Sequence, residues 1–117
     1  MLEGRWEWDV ISDRVRWSPE LYEIYGLEPR EFRPSYDAYL QRVHPSDRKR
    51  IHLIVSQARR DGKPFDFEHQ VIRPDGTLRV VSAHGEIERD EKGRIVRMFG
   101  VTRDITRERR KKERKED

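Results

Sequence analysis

The chain changes its hydrophobic period twice, and this limits the folds open to it more than any other feature. Near the N-terminus Trp6-Glu7-Trp8-Asp9-Val10 alternates apolar with polar, the two-residue period of a half-buried strand. Ser12-Asp13 supplies a turn and Arg14-Val15-Arg16-Trp17 alternates again, which predicts a hairpin. From Ser18 to Gly62 the spacing is helical. From Phe65 onward it alternates once more, with Phe65, Phe67, His69 and Val71 on one face and Asp66, Glu68 and Gln70 on the other.

The helical middle divides into three. Ser18-Pro19-Glu20 starts a short helix that buries Leu21, Ile24 and Tyr25 and stops at Gly26; the Ser18 hydroxyl is expected to cap it. Residues 27–35 hold two prolines and no period, so they form a loop. Ser35 is placed to cap a second helix carrying Tyr36, Tyr39, Leu40 and Val43. His44-Pro45-Ser46-Asp47 opens a third, whose Ile51, Ile54, Val55 and Ala58 make one stripe ending at Asp61-Gly62. His44 and Asp47 are expected to satisfy backbone amides at that start.

After the Phe65 strand, Pro74-Asp75-Gly76 marks a turn, a strand runs over about 77–88, and residues 90–93 turn again. The last strand, about 94–105, places Ile95, Arg97, Phe99, Val101 and Arg103 on one side and Val96, Met98, Gly100 and Thr102 on the other. Its apolar middle predicts a central position. The order strand, strand, three helices, three strands implies an α+β fold: a five-stranded antiparallel sheet with helices on one face.

The 117 residues suffice for one core. There is no cysteine, which excludes disulfides, thiolate metal sites and cysteine nucleophiles. No apolar run reaches the ~18 residues of a membrane span, so direct membrane insertion is not expected. Residues 107–117 hold seven Arg or Lys against four Asp or Glu, so the whole net charge of +3 sits in this tail and the 1–106 body is neutral. A nucleic-acid partner is therefore not expected, since a binding domain carries its basic excess on the folded surface. No Gly-rich phosphate loop, nucleophile elbow or zinc-helix motif is present, and enzymatic activity is not expected.

Six segments, Trp6-Glu7-Trp8-Asp9, Trp17-Ser18-Pro19-Glu20-Leu21-Tyr22, Val43-His44-Pro45-Ser46-Asp47-Arg48, Phe67-Glu68, Pro74-Asp75-Gly76 and Gly100-Val101-Thr102-Arg103-Asp104-Ile105-Thr106, occur in order and at the right spacing to resemble a PAS domain. The subclass is the one common in sensory-box histidine kinases and diguanylate cyclases, and the resemblance covers about residues 5–106. It implies a sheet whose helices enclose a pocket for a possible small-molecule ligand. It also implies a cytoplasmic sensor, commonly a homodimer, whose 107–117 linker helix leads to an output domain, with a histidine kinase as the expected output. Two positions depart from the family pattern: His69-Gln70 replaces an aromatic-Arg pair, and Val80 stands where the family tends to have Trp. The ligand or cofactor thus stays unknown.

The resemblance makes Tyr25, Tyr39, Ile54, Phe67, His69, Val80, Ser82 and His84 the pocket candidates. His69 and His84 would share a polar lining if they faced the same way. A cysteinyl-flavin adduct is impossible without cysteine. His52 stands where haem-binding relatives keep an axial ligand, but its helical neighbours Arg48, Val55 and Arg59 are mostly polar, which puts it beside the buried stripe and speaks against haem. Four scattered histidines make no metal site. Asp104, Ile105 and Thr106 are the candidate relay: Asp104 or Thr106 would cap the following helix, and movement of the central strand would shift that helix. A ligand-free scaffold for protein–protein interaction is the alternative. The tail has no apolar residue and shows no coiled-coil seam.

Overall fold

The computed structural model describes residues 2–116, with side chains from Leu2 to Lys111. Strands β1 (Glu3–Asp9) and β2 (Arg14–Trp17) form the first hairpin. Three helices follow, α1 (Pro19–Tyr25), α2 (Tyr36–Arg42) and α3 (Pro45–Asp61), then β3 (Phe65–Ile72), β4 (Leu78–Arg89) and β5 (Ile95–Asp104), and finally α4 (Thr106–Glu116). The sheet order is β2-β1-β5-β4-β3, antiparallel throughout. The apolar strand β5 is central, as its composition predicts, and the two ends of the chain meet where Trp6 pairs with Gly100.

Alternation sets the faces. Along β1 the inward residues are Gly4, Trp6 and Trp8, and along β3 they are Phe65, Phe67, His69 and Val71. α1 buries Leu21, Ile24 and Tyr25, and α3 buries Ile51, Val55 and Ala58, so the core lies between the helices and one sheet face. The approach of α1 is close: a Cβ on Gly4 would stand 2.7 Å from the Leu21 backbone. The opposite face is wet. There Arg97 pairs with Glu7 at 2.8 Å and Glu88 at 3.0 Å while lying 4.3 Å over the Phe99 ring.

The caps hold with two differences. Ser35 Oγ accepts the Ala38 N–H at 3.0 Å and His44 Nδ1 accepts the Ser46 N–H at 3.1 Å, as expected. Ser18 makes no side-chain cap; its Oγ accepts the Arg5 N–H at 2.9 Å, so it joins the start of α1 to β1. Asp47 turns from its own helix to accept the Gln70 N–H of β3 at 2.8 Å, because β3 is the edge strand and its outer edge has no neighbouring strand to pair with. Gly26 and Gly62 close α1 and α3 in the left-handed conformation, φ 67° and 70°. The side chains of α4 beyond Lys111, and Asp117, lie outside the described residues, while the net charge of +3 sits in residues 107–111, which are described.

Candidate functional site

A cavity of about 60 Å³ opens between the sheet and the helices. Eight of its fifteen lining residues are aromatic: Trp6 and Trp8 from β1, Trp17 from β2, Tyr25 from α1, Tyr36 and Tyr39 from α2, and Phe65 and Phe67 from β3. Strand alternation puts the tryptophans and phenylalanines on the inner face, and the helical spacing of Tyr36 and Tyr39 brings both hydroxyl-bearing rings down onto it. The rings brace one another. Trp8 stacks on Tyr36 at 5.1 Å with 4° between planes, and Trp17 meets Tyr25 at 4.8 Å and Phe32 of the 27–35 loop at 5.1 Å. Among the described residues, no charged side chain lines the cavity. Its polar groups are the hydroxyls of Ser35, Thr102 and the tyrosines and the indole N–H groups of the tryptophans, of which Trp8 Nε1 donates to Asp13 at 2.9 Å.

One of those hydroxyls leads to a buried histidine. Tyr39 Oη lies 2.9 Å from His69 Nε2, and His69 Nδ1 lies 3.1 Å from the Gln70 carbonyl. A carbonyl accepts only, so Nδ1 carries the ring proton and Nε2 accepts from Tyr39. Burial of His69, with 3% exposed, lowers its pKa to about 4 against the smaller opposing pulls of the Gln70 carbonyl and Asp47. The ring is neutral. His69 therefore positions Tyr39 from behind and does not itself reach the void. Tyr36 is held in the same way from outside, its hydroxyl 3.0 Å from Nδ1 of the exposed His52; burial, with the Asp37 charge, pushes the Tyr36 phenol up to about 12.

The second feature lies where β5 ends. The Asp104 carboxylate, 8% exposed, accepts from Arg79 Nε at 2.8 Å and Nη2 at 2.7 Å through one oxygen, and from the Thr106 N–H at 3.0 Å and Thr106 Oγ1 at 2.6 Å through the other. Thr106 Oγ1 in turn accepts the Val80 N–H at 2.8 Å. Burial would raise the Asp104 pKa, but the hydrogen bonds from Thr106 and Arg79 outweigh it and hold it below the usual value. The Asp104 N–H donates to the Leu2 carbonyl, the Ile105 N–H to the Val80 carbonyl, and the Ile105 carbonyl accepts from Arg109 in the first turn of α4. One carboxylate and one hydroxyl thus join β4, β5 and the first turn of α4, and a backbone bond ties in Leu2 just before β1.

The profile of the family described as PAS fold matches residues 14–102 of the chain. The chain belongs to the PAS fold family. Two curated relatives are sensors. The domain is 30% identical over 105 residues to the methyl sulfide methyltransferase-associated sensor of Methanosarcina acetivorans, covering 89% of this chain and 10% of that protein. It is 27% identical over 105 residues to the sensor protein FixL of Bradyrhizobium diazoefficiens, covering 90% of this chain and 21% of that protein. It spans at most about a fifth of either. Among solved structures, the N-terminal domain of a diguanylate cyclase with PAS/PAC sensor from Marinobacter aquaeolei has the same fold, with a TM-score of 0.84 at 17% identity over 92% of this chain and 98% of that one.

Within this PAS domain the eight pocket candidates separate into three groups. Tyr25, Tyr39 and Phe67 line the cavity, and His69 supports it through Tyr39. Ile54 is half-buried against the core without lining the void; its neighbour Val55 does so instead. Val80, Ser82 and His84 do not belong to the pocket. In the β3–β4 register His69 faces Val81, Phe67 faces Ala83 and Phe65 faces Gly85, so those three point inward and the alternate residues outward. His84 is on the wet face, its Nδ1 donating to Asp66 at 2.8 Å and its Nε2 facing Glu86 at 3.3 Å, and the Asp66 and Glu86 carboxylates raise its pKa. The two histidines share no lining. Val80 serves the Asp104–Thr106 junction through its backbone. Neither His52 nor His69 lines the cavity, so the lining offers haem no imidazole. Trp6, Trp8, Trp17, Tyr36, Phe65, Met98 and Thr102 are among the further lining residues and had not been singled out for it. The shared inner face of Trp6, Trp8, Phe65 and Phe67 was the available signal.

Proposed function

We propose that this PAS domain is the sensory and dimerisation module of a multidomain signalling protein, in which occupancy of the aromatic cavity is relayed through β5 and the Asp104–Thr106 junction to α4 and an output domain such as a histidine kinase or diguanylate cyclase. One observation carries the reading. β5 lends Met98 and Thr102 to the cavity, and two residues beyond Thr102 the same strand supplies the carboxylate that organises the start of α4. A ligand that displaces Thr102 moves Asp104 through one rigid strand step of about 7 Å. The sensor names of the relatives support the role.

The scaffold reading has its own support in the cavity's size, since small-molecule pockets are usually about 300–1,000 Å³ and this one is about 60 Å³. A thermal-shift screen of the purified chain separates the two readings. A compound that binds only the folded state raises the melting temperature progressively with concentration. Sensing predicts at least one such compound among haem, flavins, organic acids and small aromatics. A flat response to all of them at millimolar concentration would leave the scaffold reading.

A further inference from the structure

Two cavity hydroxyls are without a hydrogen-bond partner among the described residues. Tyr25 is 2% exposed and Thr102 4% exposed, both line the void, and neither side chain makes a hydrogen bond to the protein. Neither oxygen is sealed in the packing as Arg42 Nε is, the fully enclosed atom left without a partner among the described residues, so both open onto the void, where hydroxyls normally find a partner. They also belong together. Thr102 pairs across the ladder with Gly4, and Gly4 carries α1 at Leu21, one helical turn before Tyr25. Tyr39, Tyr36 and Ser35, by contrast, have their hydroxyls engaged by His69, His52 and the Ala38 amide.

We propose that the cavity takes a small, uncharged, mostly apolar molecule bearing one accepting oxygen or nitrogen, and that Tyr25 and Thr102 hold that atom. This rests on the sensory reading of the cavity and names its ligand class. Burial drives the Tyr25 phenol far above its ordinary pKa, so it keeps its proton and donates. An anion would find no cation in the lining. A cation would find rings but no carboxylate, and Arg59 already stands 5.4 Å over the Trp8 ring, which sets positive charge against it. What remains is a neutral molecule whose apolar body fills the ring-lined space and whose single acceptor satisfies the two idle hydroxyls. Because Thr102 is on β5, the recognising bond is also the contact nearest the relay.

The test compares small probes of different polarity by NMR titration of the intact chain at mildly alkaline pH: pyridine, which is neutral there and has one acceptor, benzene, which has the same shape and none, and acetate and tetramethylammonium for the two charges. Pyridine should bind about 5–10-fold more tightly than benzene, the worth of a buried neutral hydrogen bond, and both ions more weakly than pyridine. Tyr25→Phe or Thr102→Val should erase most of the pyridine preference while leaving benzene binding intact; two variants guard against one failing to fold. Tighter binding of benzene or of either ion, or a preference unchanged in both variants, would overturn the ligand class and leave the sensory reading standing. No binding by any probe would overturn the ligand class, and the thermal-shift screen then decides the sensory reading by itself.

Discussion

A histidine kept neutral by burial makes stability depend on pH in a defined direction. His69 has a folded pKa near 4 against the ordinary 6.5, so the unfolded chain binds the extra proton first. Its contribution is complete above pH 6.5 and is lost as the pH falls toward 4. The full difference corresponds to roughly 3 kcal/mol. Asp47 and Arg50 flank the ring with opposite charges that pull its pKa in opposite directions, both smaller than the effect of burial. Asp104 and Asp47, whose folded values are lowered, act in a separate window below the ordinary 3.8, where their protonation withdraws stability in turn. Urea midpoints measured between pH 7 and pH 4.5 should fall steeply in the native chain and distinctly less in His69→Gln, which can still accept from Tyr39. Parallel slopes for the two proteins would show that His69 is not held neutral. That His69 lies in the core was legible, since it alternates with Phe65, Phe67 and Val71. Its partner Tyr39, thirty residues away, was visible only once α2 had been laid on the sheet.

At the scale of elements, the runs at both ends of the chain were readable because their period is unmistakable, and the central place of β5 followed from its apolar middle. The phase of β4 was not readable, for a reason that lies in β3. Phe65 and Phe67 fill the inner surface, so their partners Gly85 and Ala83 must be small; a Cβ on Gly85 would come within 2.3 Å of the Phe65 ring. Small residues carry little hydropathy signal, and the outward Val80 next to the inward Val81 made either phase acceptable. The same need for space governs β1. Adding a methyl at Gly4 presses it against the Leu21 backbone, which cannot swing aside as a side-chain end could, and α1 must lift from the sheet. Gly4→Ala should destabilise the fold by about 1–3 kcal/mol, read as a lowered urea midpoint with unchanged slope. Because Leu21 and Tyr25 ride on α1, probe binding in the cavity should weaken as well. A neutral outcome in both measurements would mean that α1 is seated less tightly than the 2.7 Å approach requires.

For the molecule as a whole, the relay makes a quantitative demand that the fold alone does not. If cavity occupancy shifts the start of α4, a change at α4 must shift cavity affinity by the same factor, because coupling free energy is shared between the two sites. Asp104→Ala removes the acceptor that holds Arg79 and the Thr106 N–H, without touching the cavity lining. It should speed hydrogen exchange at the Arg109 amide, which closes the first turn of α4 on the Ile105 carbonyl. In the native chain a saturating cavity probe such as pyridine should change that exchange rate, and in Asp104→Ala it should not. The variant's affinity for the probe should differ from native by the factor that the probe imposes on α4 opening, within the 5–150-fold range typical of coupled sites. Tyr25 and Thr102 are intact in the variant, so an altered affinity has to travel along β5 or through the Val80–Thr106 link. Native affinity in the variant together with a faster α4 would show that Asp104 only caps a helix, and that the cavity and the junction are neighbours on one strand without communicating.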